Sequence, residues 1–150
     1  MAVSRQAVVT AARSWIGTKY AHQQMCKGAG VDCGMLVGAA AIEAGVITPE
    51  YWAQRFAEFR GYARVPSNGM LERVCRSFMT VKPLDEMAPG DVLLMRFERE
   101  PHHLAIVADH PSGGPSVIHA LAKPGSVVEH VLDSKWRARV LTCFAMPGVH

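Results

Sequence analysis

One stretch limits the fold more than any other. From Cys33 to Ala44 the sequence reads Cys-Gly-Met-Leu-Val-Gly-Ala-Ala-Ala-Ile-Glu-Ala, which is apolar on nearly every side of a helix. Such a helix has to be surrounded, so the rest of the chain must supply elements that wrap it. Gly45 is its natural C-terminal stop. The chain has 150 residues, 49% of them hydrophobic and 19% charged. That length suits one domain over residues 1–150 with one core, and the composition excludes a disordered chain.

The remaining pattern divides in two. In Ser4 to Ile16 the apolar positions Ala7, Val8, Ala11, Ala12 and Trp15 fall at helical spacing, and Gly17 follows. Lys19 to Asp32 reads as a loop, marked by Gly28-Ala29-Gly30. Pro49 can open a helix through Tyr51, Trp52 and Phe56, and Asn68 can cap another from Gly69 to Phe78. The texture changes at the turn pair Pro89-Gly90. After it, Asp91 to Phe97, Leu104 to Ala108, Val117 to Leu121, Val127 to Val131 and Val140 to Ala145 are short apolar or alternating segments. Turn residues separate them at Pro101, Ser112 to Pro115 and Pro124-Gly125. Helices first and strands second predict an α+β fold. Its N-terminal helices should pack on one face of a mainly antiparallel sheet of about five strands.

Charge and composition exclude several classes. The net charge is +3 and the basic residues are scattered, so no stripe is available for nucleic acid. No stretch approaches the roughly 20 apolar residues of a membrane span. Met1 to Gly17 lacks the pattern of a signal peptide, so the expectation is synthesis in the cytoplasm without that leader. The cysteines, Cys26, Cys33, Cys75 and Cys143, read as free thiols. No C-x-x-C or H-x-x-x-H spacing supports a zinc site from Cys26, Cys33, His102 and His103, so neither metal nor cofactor is expected.

Cys33 is the most informative position for chemistry. It follows the glycine-rich loop and opens the buried helix, where unpaired backbone N–H groups and the helix dipole stabilise a thiolate. The expectation is a lowered pKa and a nucleophile present at neutral pH. Such a thiol needs a base. His103 begins Leu-Ala-Ile-Val and His119 lies in Val-Ile-His-Ala-Leu; pairing of those strands would bring both imidazoles to one side. His102 is the competing neighbour, since alternation lets only one of His102 and His103 face the thiol. His22, His110, His130 and His150 read as ordinary solvated side chains.

Short segments then occur in a telling order: Gly17-Thr18-Lys19-Tyr20, Gly30-Val31-Asp32-Cys33-Gly34-Met35-Leu36-Val37, Pro89-Gly90-Asp91-Val92-Leu93, His103-Leu104-Ala105-Ile106-Val107 and Ile118-His119-Ala120. This series resembles the NlpC/p60 family of cell-wall cysteine peptidases. That family carries Gly-Thr-Pro-Tyr, Asp-Cys-Ser-Gly-Leu, Pro-Gly-Asp-Leu, His-Val-Gly-Ile and Ile-His-Ala. The likeness covers most of the chain, from about Ala7 to Met146. It implies a papain-like fold, with Cys33 as nucleophile, His103 as general base in preference to His102, and His119 as the residue orienting the base. Tyr20 matches a tyrosine lining the site and contributing to the oxyanion hole. Asp32 matches the aspartate before the nucleophile, with a structural or substrate-amine role. The implied substrate is a peptidoglycan stem peptide, cleaved at the D-glutamyl to diamino-acid bond through an acyl-thioenzyme.

Lys19 stands where the family has proline, and Gly34-Met35 replaces Ser-Gly. A narrower likeness joins His22-Gln23-Gln24, Lys27 to Gly30, Val128-Glu129-His130, Trp136 and Arg139 to the phage-tail and gene-transfer-agent branch. It implies tail proteins as partners and a virion-associated location. Two other readings fit the same residues: a catalytically idle tail-assembly protein, and a thiol-dependent amidase or acyltransferase.

Overall fold

The computed structural model describes residues 2–59, 69–97 and 100–150, with the side chains of 58–59 and 100–102 outside that description. The first helix, α1 (Arg5–Arg13), is capped by Ser4, whose hydroxyl accepts the Ala7 N–H. The predicted loop before Cys33 contains a tight hairpin, β1 (Met25–Cys26) against β2 (Gly30–Val31), missed because each strand is only 2 residues long. The apolar run forms α2 (Cys33–Ala44), and Gly45 ends it with a left-handed φ of 86°. Then come α3 (Pro49–Phe59) and α4 (Met70–Phe78). The proposed cap Asn68 lies outside the described residues, and Gly69 takes the N-cap position of α4.

The second half is a sheet. After β3 (Thr80–Lys82) and a 3₁₀ turn (Leu84–Glu86) come β4 (Val92–Phe97), β5 (Glu100–Asp109), β6 (Pro115–Leu121) and β7 (Ser126–Val131). A short helix, α5 (Ser134–Arg137), leads to β8 (Val140–Ala145). The sheet has 6 strands in the order β3-β8-β4-β5-β6-β7, and every neighbouring pair is antiparallel. Its sixth strand, β3, is an edge of 3 residues, too short to show alternation. The fold is thus the expected α+β arrangement of helices on an antiparallel sheet. Pro101 is a correction: it lies within β5, not in a turn. Met95 pairs with His103 and Arg96 with Pro101, so His102 is an extra residue on the bulged strand. Simple alternation between His102 and His103 does not run across such a bulge.

Each face of the sheet is covered. On one, Val8, Val9 and Ala12 of α1 and Leu36 and Ala40 of α2 pack on Leu94, Leu104, Ile106, Ile118 and Phe144. Glu43, the one acid in α2, reaches the surface and accepts the Trp15 indole N–H at 3.0 Å beside Lys27. On the other face Leu93, Met95, Ala105, Val107, Val117 and Leu132 form a second cluster, closed by Met87 and Trp136. That second layer was not expected, because it is built by the α5 segment and not by a long amphipathic helix. Buried Asp91 ties the start of β4 to α1 and β3, with Arg5 Nη1 at 3.0 Å and Lys82 Nζ at 2.8 Å. Two cations offset the cost of burying its charge. Among the described residues, no helix is long and apolar enough to cross a membrane.

Candidate active site

Asp32 sets the position of Cys33. One carboxylate oxygen accepts the Met35 N–H at 2.9 Å and caps α2. The other accepts the Gln23 N–H at 2.7 Å and lies 3.7 Å from His22 Nδ1. The side chain therefore fastens the preceding loop to the helix start. His22, read from sequence as a solvated residue, instead belongs to this corner and lines the same cavity as Cys33. Tyr20 lines that cavity too; its backbone bridges to Val31 and its N–H donates to the Gly125 carbonyl at 2.8 Å.

The sheet opens where α2 begins. The β5–β6 ladder stops at Ile106↔Ile118. Val107 exchanges hydrogen bonds with the β4 side, donating to Asp91 O and accepting from Gly90 N, each at 2.8 Å. Alternate residues of a strand point their N–H groups to opposite sides. Leu104 therefore points its N–H toward β6, past the end of the ladder, and donates it to the Cys33 sulfur. Cys33 thus meets β5 one residue from His103.

Side chains join the two strands across this opening. His103 Nε2 and His119 Nδ1 are 2.8 Å apart. Both rings are buried, His103 at 4% exposure and His119 at 0%. The contacts continue: His119 Nε2 lies 2.8 Å from His130 Nε2, and His130 Nδ1 donates to the Val131 carbonyl at 2.9 Å. The reading of His130 as a solvated residue is therefore corrected. Pairing of His119 with Val128 and of Val117 with His130 puts His119 and His130 on one face of the β6–β7 hairpin, diagonally adjacent. Trp136 packs against both rings, edge-on to His119 at 5.0 Å and tilted against His130 at 4.9 Å between centroids. The side chain of His102 lies outside the described residues.

The electrostatics overturn one expectation. Desolvation, followed by the Asp32 carboxylate, pushes the Cys33 thiol up to about 12. The N–H groups of Leu104, Gly34 and Cys33 itself pull the other way, as the helix-start argument requires, but they do not outweigh it. Burial thus opposes the thiolate that the helix start favours. Burial and then His130 lower His119 to about 3, so it is neutral.

On the helix side of Cys33 lies a cavity of about 90 Å³. Its wall is apolar, formed by Trp52, Phe56, Leu71, Val74 and Phe78, with Cys75 behind. Cys26, Cys33, Cys75 and Cys143 are all free thiols.

A capped helix opening on cysteine, facing the splayed strands of an antiparallel sheet, is the architecture of a papain-like α+β protein. Residues 17–145 match the NlpC/P60 family, and the chain belongs to it. Similar solved structures agree in fold. The NlpC/p60 domain of the peptidoglycan hydrolase SagA is 21% identical with a TM-score of 0.62, covering 96% of this chain and 100% of that one. A Staphylococcus aureus protein described as similar to lipoprotein, NLP/P60 family, is 15% identical with a TM-score of 0.63. A Bacillus cereus NlpC/P60 family protein is 13% identical with a TM-score of 0.65. These two matches cover 97% and 95% of this chain but only 41% and 40% of their own. No curated protein matches the chain.

Proposed function

We propose that this protein is a cysteine hydrolase of peptidoglycan stem peptides. The observation that carries the proposal is the His103–His119 hydrogen bond, placed one residue along β5 from the N–H that meets the Cys33 sulfur. Membership of the NlpC/P60 family and likeness to a domain from a peptidoglycan hydrolase supply the substrate class. In the proposed reaction the Cys33 sulfur attacks the peptide carbonyl as His103 takes the thiol proton. The anionic oxygen of the adduct is held by the Cys33 backbone N–H, with Tyr20 beside it. His103 then gives the proton to the leaving amine, and a thioester remains. Water, deprotonated by His103, attacks the thioester and regenerates the thiol. His119 orients His103 throughout. The bond is the D-glutamyl to diamino-acid link, as the resemblance implies. The narrower likeness makes phage-tail or gene-transfer-agent proteins the partners of such an enzyme.

The apolar cavity favours a second reading on the same residues. An acyl group lodged against Trp52 and Phe56 would suit a thiol-dependent amidase or acyltransferase. One experiment separates them. Purified peptidoglycan is incubated with the wild type and with Cys33→Ala, and soluble products are identified by mass. Stem-peptide fragments bearing a new free amine, from the wild type alone, support the peptidase. Fragments released equally by Cys33→Ala contradict a thiol mechanism. Intact wall, with acyl transfer to an added amine, supports the second reading.

A further inference from the structure

The geometry points to His130 as a positioning residue that sets the hydrogen-bond direction of the whole histidine chain and thereby makes His103 Nδ1 the basic nitrogen. The Val131 carbonyl can only accept, so His130 Nδ1 carries a hydrogen. In the neutral ring its Nε2 then holds a lone pair. That nitrogen lies 2.8 Å from His119 Nε2, which must donate. A neutral His119 that donates from Nε2 accepts at Nδ1, and that atom lies 2.8 Å from His103 Nε2, which must donate in turn. A neutral His103 with hydrogen on Nε2 keeps its lone pair on Nδ1. One carbonyl at the far end thus dictates the tautomer of three rings. The neutrality of His119 is supported by its complete burial. Trp136 covers His119 and His130, and Arg139 lies over Trp136 and Phe97 at 5.4 and 4.9 Å, so the chain is shielded on its outer side.

The consequence for catalysis rests on the cysteine-hydrolase reading; the tautomers do not. When Cys33 gives up its proton, His103 Nδ1 gains it and the ring becomes an imidazolium. Its Nε2–H still faces an acceptor at His119, so no second proton has to move. With the chain reversed, Nδ1 of a neutral His103 would already hold a hydrogen and could not accept one.

The test uses the whole chain and needs no wall substrate. Nitrogen-15 NMR of the imidazoles near neutral pH should find His130 protonated on Nδ1 and His119 on Nε2. His119 protonated on Nδ1 would overturn the inference. In parallel, alkylation of Cys33 by iodoacetamide is timed by peptide mass in three variants. His130→Gln retains an acceptor and should stay within about threefold of wild type, His130→Leu should fall about tenfold, and His130→Arg, a donor only, about a hundredfold. Wild-type rates in His130→Leu, or a faster reaction in His130→Arg than in His130→Leu, would overturn it. If a variant fails to fold, the wild-type tautomers still decide. A protein with the expected tautomers and rates that leaves wall peptides intact would sink the hydrolase reading and not this one.

Discussion

The two sides of Cys33 are built from opposite materials. Toward the sheet, His103, His119 and His130 are linked through to a backbone carbonyl at spacings of 2.8 to 2.9 Å. Toward α3 and α4 the wall is Trp52, Phe56, Leu71, Val74 and Phe78. Desolvation of the sulfur is the first cause of a thiol pushed up to about 12, and the apolar wall lines the cavity beside it. In the proposed reaction the polar side supplies what that shift demands, an imidazole at His103 to take the thiol proton at the moment of attack. Neither half suffices alone in that proposed reaction. A thiolate formed spontaneously would need no aligned base, and an aligned base beside a well-hydrated thiol would need no shielding wall.

Damage to the polar side should exceed damage to the apolar side. In the proposed reaction His103→Ala removes both the proton acceptor and the acid for the leaving amine. It should cost about 10²- to 10⁴-fold in kcat/KM on a stem-peptide substrate. A near-normal rate would break the comparison at its base. His119→Ala should cost less, about 10- to 100-fold, because His103 survives without its orienting partner. A loss equal to that of His103→Ala would mean that His119 itself handles the proton.

On the apolar side the sharpest change is Gly38→Ala. A Cβ there would sit 2.6 Å from the Trp52 ring, closer than such atoms approach. The substitution should destabilise the protein by about 1–3 kcal/mol through overpacking, in spite of alanine's better helix propensity. A Gly38→Ala protein that melts at or above the wild-type temperature would show that α3 gives way freely.

The buried neutral His119 also predicts a pH effect on stability. Folded, its pKa is lowered from 6.5 to about 3, whereas the unfolded chain takes up this proton below 6.5. Its contribution is intact above 6.5 and is lost as pH falls toward 3. Between about pH 7 and about pH 4, Tm should fall further in the wild type than in His119→Gln. Parallel curves would contradict a neutral His119. The smallest effect expected is that of His102→Ala, near wild-type activity; a loss matching His103→Ala would exchange their assignments.

The elements legible in the sequence were those with long or strongly patterned signals. The all-round apolar run from Cys33 and its stop at Gly45 gave α2 within its observed bounds, and the alternating segments after Pro89-Gly90 gave the main strands. The short pieces β1, β2, β3 and α5 were not legible, since 2 to 4 residues carry no period. The histidine chain was legible only in part. His103 and His119 stood out through the family segments, while His130 depends on register. A tight β6–β7 turn pairs Leu121 with Ser126, and that pairing carries His130 to the face of His119. Alternation along Val128-Glu129-His130 was the available signal, and it needed the turn geometry to be read. The lowered thiol pKa expected at a helix start failed for a different reason. Sequence shows the backbone donors but not the surrounding apolar wall or the depth of burial.

The central claim is that the proton of a shielded Cys33 thiol goes to His103. The most direct measurement is the iodoacetamide alkylation rate of Cys33 relative to exposed Cys26, followed in wild type and His103→Ala by peptide mass. The account predicts that the Cys33 rate falls at least about tenfold in His103→Ala while the Cys26 rate is unchanged. An unchanged Cys33 rate would contradict it.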